Sequence, residues 1–93
     1  MAYLFEWDPA KSATNPEKHG VTFEEAATVF DDPFAVLALD PDHSADELRY
    51  LLLGMSDRQR LLVVAFVERP PRIRLISARR ATARERRRYE AEG

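Results

Sequence analysis

The chain has no cysteine among its 93 residues, which removes disulfides, thiolate nucleophiles and cysteine-ligated zinc together. Its two histidines, His19 and His43, sit in no repeating ligand spacing. A metal would have to rest on carboxylates alone, so neither metal nor cofactor is expected. Glycine and serine are too sparse for a flexible hinge. No apolar run approaches the ~18 residues of a membrane span, and the first residues, Met-Ala-Tyr-Leu-Phe-Glu-Trp-Asp, lack the basic region and apolar length of a signal peptide. The expectation is a soluble, cytoplasmic, single domain over residues 1–93, with about 5–14 kcal/mol of net stability.

Lysine is also missing from residues 54–93, which carry eleven arginines against five acids, while residues 1–53 carry three cations (Lys11, Lys18, Arg49) against eleven acids. The formal net charge of −2 hides this polarity. Arginine's planar fork suits two-point recognition of phosphate, so the stretch from Arg72 to Glu90 reads as a phosphate-binding surface, and the acidic half suits a basic protein partner or solubility.

The pattern of elements is a strand, two helices, a block of strands and a last helix. Tyr3 to Trp7 reads as an edge strand, with Asp8-Pro9 as an N-cap and first helical residue. The first helix is expected to kink or restart at Asn15-Pro16 and to stop at Gly20. Thr22 and Glu25 form a capping box for the second helix, whose buried face is Phe23, Ala26, Ala27 and Phe30, and which ends before Asp32-Pro33. Phe34–Leu39 and Leu48–Met55 are expected to form a hairpin around the turn Pro41-Asp42-His43-Ser44, the second run being ended by Gly54 and Ser56-Asp57. Leu61–Val67, unbroken and apolar, is a central strand covered on both faces. After the Pro70-Pro71 turn, period two places Ile73, Leu75 and Ser77 on one face and Arg72, Arg74 and Ile76 on the other. Thr82 and Glu85 cap the last helix.

Phe5-Glu-Trp-Asp-Pro-Ala-Lys, Asn15 with Lys18-His-Gly-Val21, Phe23-Glu-Glu-Ala26, Val29-Phe30 with Asp32-Pro33, Asp42-His-Ser44, Gly54-Met-Ser56, Arg60-Leu-Leu-Val-Val64, Glu68-Arg69 and Ile76-Ser-Ala-Arg79 follow in order. With Glu85-Arg86 and Tyr89-Glu90, this set resembles the BrnT family of toxins from type II toxin–antitoxin systems, nearly end to end. The resemblance implies an α+β, RelE-like fold in the order β-α-α-β-β-β-β-α, a small antiparallel sheet with two N-terminal helices packed on it and a C-terminal helix. It also implies a metal-independent endoribonuclease, and an antitoxin of BrnA type with a ribbon-helix-helix domain that masks the toxin and represses the operon with it. The chain departs from the family at Phe66, where relatives often carry histidine.

Metal-free RNA cleavage needs a base for the 2′-OH, cations for the phosphorane and an acid for the 5′-oxygen. The catalytic candidates are Lys18, His19, Arg69, Arg79, Glu85 and Arg86, and the RNA-binding candidates are Arg72, Arg74, Arg87, Arg88 and Tyr89. Each has a structural alternative. The arginines also suit a solvated face or a guarded strand edge, and Glu85 is what a capping box requires. Tyr89 suits either base stacking or anchoring its helix. His19 sits where a histidine bonds free helix carbonyls. His43 reads as local turn bonding, and Trp7 as core or antitoxin contact. The competing class is a binding module or corepressor that does not cleave.

Overall fold

The computed structural model describes residues 3–43 and 46–92, so Ser44 of the expected turn lies outside the described residues. Its elements are β1 (Leu4–Trp7), α1 (Pro9–His19), α2 (Phe23–Thr28) continued by a 3-10 turn (Val29–Asp31), β2 (Val36–Leu39), β3 (Arg49–Met55), β4 (Leu61–Arg69), β5 (Arg72–Arg80) and α3 (Ala83–Glu92). The strands form one sheet in the order β1-β5-β4-β3-β2. The pairings β2–β3, β3–β4 and β4–β5 are antiparallel, as expected, but β1 runs parallel to β5, so the sheet is mixed. The element order and the α+β class are those read from the sequence.

Local chemistry starts and stops the helices. Asp8 Oδ1 accepts the Ala10 N–H at 2.9 Å, and Gly20, with φ of 69°, donates its N–H to the Pro16 carbonyl at 2.8 Å. The helix does not restart at Asn15-Pro16, and α1 runs through Pro16. Tertiary bonds override the pre-proline preference: the buried Asn15 amide donates to the carbonyls of Val21 (2.7 Å) and Ala78 (2.9 Å), while its oxygen accepts the Ala78 N–H at 3.2 Å. These bonds do the work of a missing strand. Pairing of β1 with β5 ends at Trp7–Leu75, and Asn15 satisfies the exposed β5 edge three residues further on.

Two apolar clusters sandwich β4. Val21, Phe23, Ala26 and Val29 pack on Leu52, Leu62, Val64, Phe66, Leu75 and Ala78 on the helix-covered face, and Leu53, Leu61 and Val63 lie under α3 on the other. The two-sided burial expected of this strand is therefore present. Gly54 does not end β3 but lies inside it, because a Cβ there would stand 2.8 Å from Val29 Cγ1.

Strict alternation fails in β5. Ala65 pairs with Ser77 and Phe66 with Leu75, so Ile76 is an extra residue. Ile73, Leu75 and Ala78 reach the main core, and Ser77 moves to the face of Arg72 and Arg74 instead of sharing that of Leu75. The bulge also brings Arg79 onto the arginine face, opposite Val63.

At the second helix, Thr22 Oγ1 accepts the Glu25 N–H at 3.1 Å, but the Glu25 carboxylate does not complete the box. It is buried, accepting from Ser56 Oγ at 2.7 Å and from Arg60 through both guanidinium Nε (2.9 Å) and Nη2. No described helix is long and apolar enough to cross a membrane.

Candidate functional site

The sheet face away from α2 carries a column of cations. By register, Arg49 of β3, Arg69 of β4 and Arg72, Arg74 and Arg79 of β5 share it with Ser77. Arg69, Arg72, Arg74 and Arg79 meet acidic side chains. Glu6 of the parallel strand β1 bonds Arg74 at 2.9 Å and stands 3.8 Å from Arg72 Nε, and Glu47 lies 3.2 Å from Arg69. Arg79 clasps Glu85 through both amino groups at 2.8 and 2.9 Å.

The Arg79–Glu85 pair ties the sheet to the last helix. Glu85 also accepts the Thr82 N–H at 2.8 Å, and its own N–H donates to Thr82 Oγ1 at 3.2 Å, so both halves of the expected capping box form. Arg79 above all, with Thr82 assisting, outweighs burial and holds the Glu85 carboxyl down at about 2. A carboxylate so committed is a weak proton acceptor near neutral pH, and its bonds are those of a latch.

Tyr89 is the second attachment of α3. Its ring packs against Leu53, Leu61 and Val63, and its hydroxyl donates to Asp32 Oδ2 at 2.6 Å. Burial and the Asp32 carboxylate push the phenol up to about 12. Burial raises Asp32 too, but bonds from the Met55 N–H, the Tyr89 hydroxyl and the Phe34 N–H prevail and hold it below the usual carboxylate range. The geometry favours the anchoring alternative for Tyr89. Arg86 and Arg87 are exposed on α3 without an ion pair among the described residues, and Arg88 pairs with Glu92 at 2.7 Å.

The remaining candidates meet elsewhere. Asn15 pins α1 along the edge of β5, and this sets Lys11, Thr14, Lys18 and His19 around a cleft of about 250 Å³ floored by Arg49, Ile76 and Ser77. Lys18 and His19 were expected to act together; Lys11, Arg49 and Ser77 were missed. The helical spacing of Lys11, Thr14 and Lys18 was a legible signal, while the approach of Arg49 and Ser77 depends on sheet order and the bulge. Among the described residues neither Lys11 nor Lys18 enters an ion pair. The cleft thus offers cations for an anion, hydroxyls to orient it, and an imidazole, the side chain suited to proton exchange near neutral pH. No group of three or more His, Asp or Glu among the described residues is arranged to hold a metal.

His43 makes its expected turn contact, Nδ1 lying 3.0 Å from Asp40 Oδ2, and Trp7 meets Phe23 edge to face in the core.

The profile of the family described as "Ribonuclease toxin, BrnT, of type II toxin-antitoxin system" matches residues 7–85. Among solved structures, the ribonuclease toxin BrnT of Brucella abortus superposes with a TM-score of 0.63 at 24% identity, covering 87% of this chain and 99% of that one. A comparison with curated protein sequences finds no match.

Proposed function

The chain belongs to the BrnT family, toxins of type II toxin–antitoxin systems, and we propose that it is a metal-independent endoribonuclease whose reaction centre is the cleft between α1 and the sheet. The observation that carries this reading is the meeting of Lys11, Lys18, His19 and Arg49 around one cleft beside Ser77. Lys18 and Arg49 hold the scissile phosphate and stabilise charge on its oxygens as the 2′-oxygen bonds to phosphorus and the P–O5′ bond breaks; His19 takes the 2′-OH proton and a proton is returned to the leaving 5′-oxygen. Arg69, Arg72, Arg74, Arg86 and Arg87 guide the flanking backbone, with Arg88 at the rim, and their contribution falls as salt rises. Arg79 and Glu85 act by fixing α3.

The element order supports reading the fold as RelE-like; membership of a type II toxin–antitoxin family supports an antitoxin partner, proposed to be of BrnA type with a ribbon-helix-helix domain, with operator contact only through it and a cytoplasmic site of action.

The test is cleavage of naked RNA by purified protein in EDTA, with Lys18→Ala, His19→Ala and Arg49→Ala alongside. Wild-type cleavage leaving 2′,3′-cyclic phosphate ends, lost by about 100-fold or more in each variant, supports the assignment. Cleavage unaffected by all three would move the centre elsewhere. A folded wild type that binds its antitoxin but cleaves no RNA would leave the corepressor reading in its place.

A further inference from the structure

The opposite face of the sheet has a different chemistry. Beyond the cover of α2, a groove of about 290 Å³ is lined by Tyr3, Phe30, Leu37, Leu52, Phe66 and Ile73. Its apolar wall continues into solvent, Leu37 being 57% and Leu39 49% exposed on β2, the strand at the sheet edge. Contiguous exposed apolar surface of this kind marks a site that something covers. The charges at the groove are both acidic, Asp32 and Glu68, and among the described residues Glu68 has no cationic partner.

The direction of the groove selects the shape of its occupant. Its lining residues come from β2, β3, β4 and β5 in turn and then from the residue before β1, so it crosses the strands instead of following one. Four strand spacings span roughly 19 Å, the length of about 13 helical residues. An amphipathic helix laid across the strands presents side chains every third or fourth residue to such a groove, and lysine or arginine on its flank meets Glu68 and Asp32.

We propose that this groove is where the antitoxin docks, through an amphipathic segment with an aliphatic stripe and a basic flank. The proposal rests on membership of a toxin–antitoxin family for the existence of the partner, and on the acidic, apolar groove for its chemistry. The groove lies on the face of Ile73 and Leu75, whereas Arg72, Arg74 and Ser77 lie on the other. Docking is therefore separable from the cationic cleft.

The experiment measures affinity for the antitoxin encoded beside the toxin gene, using wild type, Leu37→Arg, Glu68→Lys and Lys18→Ala. Leu37 and Glu68 are exposed, so both groove variants should fold, which circular dichroism checks. Expected are a loss of about 100-fold for Leu37→Arg and about 10-fold for Glu68→Lys, weaker dependence on salt for the latter, and wild-type affinity for Lys18→Ala. Wild-type binding by both groove variants, or a loss confined to Lys18→Ala, would overturn the proposal. So would a toxin dimer, formed without antitoxin and broken by Leu37→Arg, since that gives the groove to a second copy. Binding is read without RNA, so failure of the ribonuclease assignment leaves this result standing.

Discussion

Replacing Glu85 with glutamine separates the latch from the general base. The substitution keeps an oxygen for the Thr82 N–H but removes the charge that Arg79 clasps. Glu85 is lowered from an ordinary 4.5 to about 2, which sets a ceiling of about 3 kcal/mol on what the ionised form contributes to folding. The side chains of Arg79 and Glu85 are 41% and 28% exposed, so solvent screening brings the expected loss to about 1–2 kcal/mol, or roughly 5–10 °C in Tm. The pH dependence follows from the direction of the shift. A carboxyl with a lowered folded pKa stabilises fully above its unfolded value and loses that contribution as pH falls through the folded one. Urea unfolding should show a constant gap between wild type and variant from pH 8 to about 5, closing toward pH 2, while RNA cleavage at neutral pH stays within about threefold. A gap below about 0.5 kcal/mol at pH 7, or cleavage lowered 100-fold with unchanged stability, would refute the latch and return Glu85 to the role of base.

Arg60→Met removes two guanidinium bonds from the buried Glu25 carboxylate, together with one to the Gly20 carbonyl, and should cost about 3–5 kcal/mol at pH 7 by urea unfolding. Arg60, more than any other group, holds Glu25 below its ordinary value, so the pair's stabilisation fades as pH falls below about 4.5 and the gap should narrow at pH 4. Asn15→Leu strands the N–H and carbonyl of Ala78 and the carbonyl of Val21, costing about 2–5 kcal/mol. Because Asn15 also pins α1, RNA cleavage by the folded fraction should fall with it, whereas Arg60→Met should leave that fraction active.

Much of the fold was legible because its signals are local. Asp8-Pro9, Gly20 and Thr22 announce helix ends by their own hydrogen-bonding geometry, and the apolar run of β4 announces two-sided burial. What could not be read depends on distant chain. Asn15-Pro16 carries a breaker signal, and only Ala78 and Val21 overrule it. The parallel pairing of β1 has no sequence mark, yet it delivers Glu6 to Arg72 and Arg74. The bulge at Ile76 is silent too, and it decides which way Ser77 and Arg79 point. For the candidate cleft, Lys18 and His19 were read as neighbours in sequence and helical spacing adds Lys11, whereas Arg49 joins them only through the packing of α1 against the sheet.

The arginine-rich segment that dominates the sequence divides into groups with different work to do. Exposed ion pairs are worth at most about 1 kcal/mol, so a phosphate can displace Glu47 from Arg69 at little cost, whereas the half-buried Arg74 is held more firmly by Glu6. Arg79 is held differently, by two parallel bonds to a carboxylate that also caps α3, and taking it for substrate would release the helix. Arg79, one of the catalytic candidates, is thus poorly available to RNA. The proposed proton exchange falls instead to His19 at the end of α1, where Asn15 fixes the backbone against β5 and, among the described residues, Lys11 and Lys18 enter no ion pair. With the reaction centre proposed at the helix edge and the arginine column proposed to steer RNA, activity is expected to be sensitive to the α1–β5 seam.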